Sequence, residues 1–186
     1  MTYFFDRIEI NPIIASVNDL EQLDAALQSP CEIVFILTGN IFNLKEISNR
    51  VRNKNKGLYI CVDSIDGFSK DTWGLEYISK NIYPDGIITE KDSLIKLTKD
   101  MGLFTIQRLV ISDSQSLDHA VNTIKRTRPN VVDILPGIMP KIIKTIAGTK
   151  IPVIASGLIS ERDDLESSLN SGAIAISTSN KKTWYL

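Results

Sequence analysis

Short apolar runs alternate with amphipathic stretches along the whole 186-residue chain. The runs Pro12–Val17, Ile33–Leu37, Leu58–Asp63, Gly86–Thr89, Phe104–Leu109, Val131–Leu135, Pro152–Ser156 and Ala173–Ser177 are poor in charge, and several are rich in Val and Ile. Strands buried on both faces read this way. Between the runs the apolar spacing becomes helical. Leu20, Leu23 and Leu27 fall at i, i+3, i+7, as do Leu44, Ile47 and Val51. Met139, Ile142, Ile143, Ile146 and Ala147 form the fullest stripe. Asn18 followed by Glu21, and Ser160 followed by Asp163, resemble capping boxes and place helix starts there.

Eight strands alternating with helices fit either a closed (β/α)8 TIM-type barrel or an open doubly wound sheet. The strand count and even spacing favour the barrel, formed as a single domain over residues 1–186. The chain is short for that fold, whose usual lower end is about 200 residues, so the loops must be brief.

Composition narrows the function classes. Hydrophobic and charged contents of 43% and 23% are ordinary for a globular domain, and the net charge of −1 does not advertise nucleic-acid binding. Two cysteines, Cys31 and Cys61, suit a reduced compartment better than a disulfide scaffold. Asp6 and Arg7 come too early for a secretory apolar segment, and no apolar run approaches the roughly 18 residues of a membrane helix. The chain is expected to be cytoplasmic and off the membrane.

The chemistry is concentrated in a few polar positions on apolar strands. Alternation puts Asp63 on the face of Tyr59 and Cys61, and Asp133 on the face of Leu135. A carboxylate there is either braced by a neighbouring cation or poised for a ligand. Gln107 and Arg108 lie late in the fifth run; Arg108 can meet a phosphate or balance Asp133 or Asp63. Small-residue turns close the last three runs, with Gly137 after the sixth, Ser156 and Gly157 after the seventh, and Thr178 and Ser179 after the eighth. On a barrel, phosphate is usually held by the loops after strands seven and eight. His119, the only histidine, falls off the apolar face of its helix and is expected at the surface. Without a Cys/His cluster or a nucleophile-elbow or P-loop motif, neither a catalytic set, a metal site nor a cofactor is predicted. The densest basic run, Arg50, Arg52, Lys54 and Lys56, reads either as an RNA contact or as a solvated helix end complementing the helix dipole. Stacking aromatics are absent from that stretch, apart from Tyr59 in a strand.

Several motifs taken together resemble the glycerol uptake operon antiterminator family. They are Ile106-Gln-Arg-Leu109 with Asp113-Ser114, Arg126-Thr-Arg-Pro129, Leu135-Pro-Gly-Ile138, Ile151-Pro-Val-Ile154 and Thr178-Ser-Asn-Lys181 with Trp184. Val62-Asp63 with Gly67, and Gly86-Ile-Ile-Thr89 before Lys91, belong to the same pattern. The resemblance runs from about Ile13 to Trp184 and implies a regulator that senses glycerol 3-phosphate and acts on leader mRNA against premature termination. It implies a phosphate site at Gly137, Ser156, Gly157, Thr178 and Ser179, with Asp63, Gln107, Arg108 and Asp133 at the glycerol end or bracing the pocket. The effector is then a ligand and not a cofactor, and a homodimer is a candidate form of the RNA-competent state. Cys61 and Asp66 stand where the family pattern often has histidines, and Leu37-Thr-Gly-Asn40 lacks an acid found in some relatives. The competing readings are a barrel enzyme on a phosphorylated polyol or sugar (isomerase, aldolase or phosphodiesterase) using Asp63 or Asp133, and a barrel that only docks proteins.

Overall fold

A computed structural model describes residues 2–186. It resolves the choice of architecture: eight parallel strands close in the order β1 to β8, with β8 pairing back to β1. The strands are β1 Ile13–Val17, β2 Ile33–Ile36, β3 Gly57–Cys61, β4 Gly86–Thr89, β5 Phe104–Val110, β6 Val131–Leu135, β7 Val153–Ser156 and β8 Ala175–Thr178. Helices α2 Leu23–Gln28, α3 Leu44–Asn53, α4 Thr72–Tyr77, α5 Asp92–Asp100, α6 Ser114–Thr127, α7 Pro140–Ala147 and α8 Arg162–Asn170 connect them. A short 3₁₀ turn, Thr183–Tyr185, follows β8 and buries Trp184 completely.

Alternation on the strands divides the core in two. One set faces the helices: Val34, Ile60 and Val132 meet Leu44, Ile47 and Val51 of α3 or Ile142, Ile143 and Ile146 of α7. The other fills the barrel: Ile14, Phe35, Tyr59, Ile106 and Ile154 point inward. The helical stripes read from sequence therefore face the core, with Leu20 and Ala147 half-buried, except that Met139 precedes α7 and is exposed. The Leu20/Leu23/Leu27 stripe is split between a 3₁₀ turn at Leu20–Gln22 and α2.

The N-terminal helix, α1 Thr2–Ile10, is an element that strand-and-helix alternation did not anticipate. It closes the amino-terminal end of the barrel. Phe4 is 1% exposed, stacks on Phe104 at 4.8 Å between centroids and meets Tyr59 edge-on at 5.3 Å. Its i+4 neighbour Ile8 belongs to the same interior cluster. A barrel interior is a packed core and not a pore, and α1 supplies its lowest layer.

The predicted caps are displaced by one residue. Asp19, not Asn18, caps the first turn through Glu21 N–H at 2.9 Å. Glu161 and Asp164 form the box that opens α8, with Asp164 accepting from the Ser160 and Glu161 amides. The residue types suit either register, and tertiary docking selects between them.

Phe4→Ala removes the stacked floor of the barrel and should cost about 3–5 kcal/mol, since the cavity is ringed by rigid strands that cannot collapse into it. Urea unfolding of the variant measures this, and a loss below about 1 kcal/mol would mean that α1 does not close the core.

Candidate functional site

The carboxyl ends of the strands carry the polar side chains. On five strands the inward-facing positions turn from apolar to polar within the last three residues: Ser16 on β1, Arg108 on β5, Asp133 on β6, Ser156 on β7 and Ser177 on β8. These groups hold one another. Arg108 Nε donates to Asp133 Oδ2 at 2.8 Å, and Ser156 Oγ donates to Asp133 Oδ1. Ser16 and Ser177 share a hydrogen bond across the β1–β8 seam. Asp133 is fully buried and the Arg108 side chain is 11% exposed, so the pair sits at the boundary between core and solvent.

Above this layer opens a cavity of about 460 Å³, within the roughly 300–1,000 Å³ of small-molecule sites. Ser156, Gly157, Leu158, Ser160, Ser179 and Asn180 line its wall, with Arg108 and Leu135 opposite. Gly157 has φ +78 and Leu158 φ +62, so two consecutive left-handed residues turn the β7 loop back over the cavity. Among the described residues, no backbone or side-chain acceptor is taken up by the Gly157, Leu158 or Ser179 amides. Arg108 engages Asp133 through Nε alone, which leaves its Nη1 and Nη2 donors without a protein partner among those residues. Burial pulls the Arg108 guanidinium pKa down, but the surrounding Asp133, Cys61 and Glu90 push harder and the net shift is upward.

The sequence-predicted residues separate into three groups. Ser156, Gly157, Thr178, Ser179 and Arg108 line the cavity, and Asp133 lies directly beneath it. Thr178 lines it with its hydroxyl already committed, donating to Ile159 O at 2.9 Å while accepting from Asn180 N–H at 3.1 Å. Gly137 is a packing residue: a Cβ there would stand 2.5 Å from Ser156 N and 2.7 Å from Ala155 C. Its carbonyl accepts from Ser168 of α8, and it does not line the cavity.

Asp63 and Gln107 lie elsewhere. Asp63 sits beyond β3 in a 3₁₀ turn, Val62–Ser64, where strand alternation no longer applies. Its Oδ2 accepts from Thr89 Oγ1 at 2.8 Å and Glu90 N–H at 2.7 Å, tying β3 to β4, while Oδ1 is buried without a partner. Gln107 alternates with inward-facing Ile106 and Arg108, so it points to the helices. There Nε2 donates to Asp92 at 2.8 Å and Oε1 accepts from Thr127 at 2.6 Å. Ser16, Ser177, Asn18 and Asn180 also line the cavity, although the sequence did not mark them as site residues. A serine late in an otherwise apolar strand was the available signal at Ser16 and Ser177.

The basic run is mostly committed to the fold. Arg50 pairs with Asp24, Arg52 Nη2 donates to Ile82 O at 3.0 Å, and Lys56 Nζ donates to Ser29 O at 2.8 Å. Lys54 is exposed and makes no such bond among the described residues. His119 is exposed on α6, as expected. No group of three or more His, Cys, Asp or Glu side chains among the described residues is placed to hold a metal ion. No described helix is long and apolar enough to cross a membrane.

The chain is thus a compact (β/α)8 barrel with a polar cavity at the carboxyl ends of its strands. Residues 13–184 match the glycerol-3-phosphate responsive antiterminators, and the chain belongs to that family. It is 34% identical over 177 residues to the uncharacterised Escherichia coli protein YgcP, covering 95% of this chain and 93% of that one. The glycerol uptake operon antiterminator regulatory protein of Listeria monocytogenes superposes with a TM-score of 0.90 at 28% identity, covering 94% and 95% of the two chains. A glycerol uptake operon antiterminator-related protein of Thermotoga maritima gives 0.81 at 27% identity, covering 94% and 98%. The family is one of antiterminator regulators and not of enzymes, which sets aside the isomerase, aldolase and phosphodiesterase readings.

Two outcomes follow from the mouth. Asp133→Ala strands the Arg108 guanidinium in a buried site and should cost about 3–5 kcal/mol, whereas an Arg108→Met/Asp133→Leu double variant should recover most of that loss. Denaturant unfolding of the two decides; equal destabilisation would show that the charge pair is not the reason. Burial also pushes the Cys61 thiol above its ordinary value of 9.0, against the opposing pull of Ser64 and Arg108. A pKa raised in the folded state contributes stability below the unfolded value and loses it at higher pH. The stability difference between wild type and Cys61→Ala should therefore be flat below about pH 8 and move against wild type above pH 9.0. A movement in the opposite direction would sink the assignment.

Proposed function

We propose that the mouth cavity is a sensor for glycerol 3-phosphate, and that the liganded protein acts on leader mRNA to prevent premature termination of glycerol-operon transcription. Membership of the antiterminator family supports the activity class. The single observation that supports the ligand is the set of donors left without protein acceptors at one spot: Arg108 Nη1 and Nη2 and the amides of Gly157, Leu158 and Ser179. All are hydrogen-bond donors, and an oxyanion takes up several of them at once. In this reading Ser156, Gly157 and Ser179 surround the phosphate, while Thr178 and Gly137 set the shape of the turns. Asp63 ties β3 to β4 outside the cavity lining and braces the barrel mouth without touching the ligand. Asp133 fixes Arg108 and does not touch the ligand; Gln107 braces β5 against α5 and α6.

Binding without turnover is consistent with this chemistry. A general base must reach the proton it removes, and Asp133 is fully buried beneath the cavity, held by Arg108 and Ser156. Burial keeps Cys61 protonated as well. The protein would work in the cytoplasm, where leader mRNA is made, and the effector would favour a homodimer as the RNA-competent form, which sedimentation with and without glycerol 3-phosphate checks.

Leader-RNA affinity at zero and saturating glycerol 3-phosphate tests the whole reading. Typical coupling free energies predict a change of roughly 5- to 150-fold, and identical affinities would overturn it. Thermal unfolding isolates the ligand step: a 100-fold excess over Kd should raise Tm by about 5–10 °C. Glycerol or inorganic phosphate at the same concentration should shift it far less.

A further inference from the structure

A second cavity, of about 230 Å³, opens at the opposite end of the barrel between α1, the end of α3 and the turn after α4. Two tyrosines stand in its lining, Tyr3 from α1 and Tyr83 from the turn, and they are 70% and 64% exposed. A guanidinium lies against each ring. Arg7 Cζ is 5.8 Å from the Tyr3 centroid, and Arg52 Cζ is 5.9 Å from that of Tyr83. The basic run that lacked aromatics in sequence thus acquires them in space, from residues 3 and 83.

The electrostatics of this pocket are uneven. Arg7, Arg52 and Lys56 line it against one carboxylate, Asp85, which accepts from Leu58 N–H at 2.7 Å. Arg7 is paired with Glu32 at 2.9 Å. Arg52 and Lys56 are held differently, by carbonyl oxygens of Ile82, Tyr83, Ser29 and Cys31. Carbonyls fix the donors in place without cancelling the charge. The result is a pre-positioned positive floor between two exposed aromatic faces. Asn55, with φ +54, stands at the same rim, and its side-chain amide makes no hydrogen bond among the described residues.

We propose that this basal pocket takes one unpaired nucleotide of a single-stranded RNA, its base against Tyr3 and Tyr83 and its phosphate beside Arg52 and Lys56. Stacking accepts any base because every base has a π-face, and an adjacent guanidinium strengthens it. The Asn55 amide can donate to and accept from a base edge. An acidic peptide or an anionic membrane can meet the charges but brings no planar base to stack on the rings. The inference rests on the RNA-binding reading above, and it places RNA at the end of the barrel away from the effector.

The test uses the full chain and leader RNA. Tyr3→Ala/Tyr83→Ala should weaken RNA binding about tenfold or more, on the scale of a lost base–aromatic stack. Tyr3→Phe/Tyr83→Phe keeps the rings and should bind like wild type. Both variants should retain the Tm rise with glycerol 3-phosphate, which shows that fold and mouth are intact. An independent arm needs no variant: replacing the contacted nucleotide of the RNA by an abasic one should weaken wild-type binding and leave the Ala double variant unchanged. Wild-type affinity in the Ala double variant would overturn the pocket while the RNA reading stands. No RNA binding by wild type, despite an effector response, would overturn both. Free mononucleotide binding as tightly as the RNA would make this a metabolite site and overturn the proposed occupant.

Discussion

Pairing of β8 with β1 leaves each strand side chain only two environments, the barrel interior or the shell of helices. With strands of four to seven residues there is no room for a compensating irregularity, so a shift of one residue exchanges the two environments. Arg108 and Gln107 show the consequence. They are adjacent in sequence, yet one lines the mouth cavity and the other is sealed between β5 and the α5–α6 pair. Closure also decides where polarity is tolerable. The lower layers hold Phe4, Phe35, Tyr59 and Phe104, and only the layer nearest the carboxyl ends carries Ser16, Arg108, Asp133, Ser156 and Ser177.

The Arg108–Asp133 pair is the costly part of that upper layer. Desolvating two charges offsets much of their attraction, and a well-packed apolar pair would hold the barrel as well or better. What the ion pair supplies is orientation. With Nε bound to Asp133 and Asp133 fixed in turn by Ser156, the guanidinium is aimed before any ligand arrives. The entropy of ordering a long side chain is then spent in folding and not in binding. Gly137 has an indirect part in the same arrangement, since the absence of a Cβ lets the β6 loop sit against the end of β7, where Ser156 lies.

Architecture was legible in the sequence because eight apolar runs at even spacing carry their own periodicity. The seventh and eighth turns were legible because Ser156, Gly157 and Ser179 sit in small-residue clusters at strand ends, where barrel geometry places phosphate. Other positions depended on information that no local pattern contains. Asp63 continued the alternation of β3 on paper, but the strand ends at Cys61 and the backbone turns before it. The run Arg50–Lys56 looked like one basic surface, whereas each committed cation has a partner from a different element: Asp24, Ile82, Ser29. The role of α1 was hidden for a similar reason. Phe4 and Ile8 have helical spacing, but only the closed barrel creates the open floor that they fill.

A sensor needs one more property than a binding site, because a ligand alters only what differs between two states. The barrel supplies a continuous column for transmitting such a difference. Arg108 and Asp133 rest on Ile106, Val131 and Ile154, these lie in one cluster with Tyr59 and Phe104, and Phe104 stacks on Phe4 beside Tyr3. Packed interiors of this kind switch between discrete arrangements more readily than they deform. Of the elements in the column, α1 has the fewest ties to the sheet: it is anchored through Phe4, Ile8 and the Arg7 contacts and pairs with no strand. Under the proposed reading, the seating of α1 is therefore the property on which effector and RNA must agree. Tyr3 and Arg7 ride on that helix into the basal pocket, while Phe4 joins it to the column that ends beneath the effector.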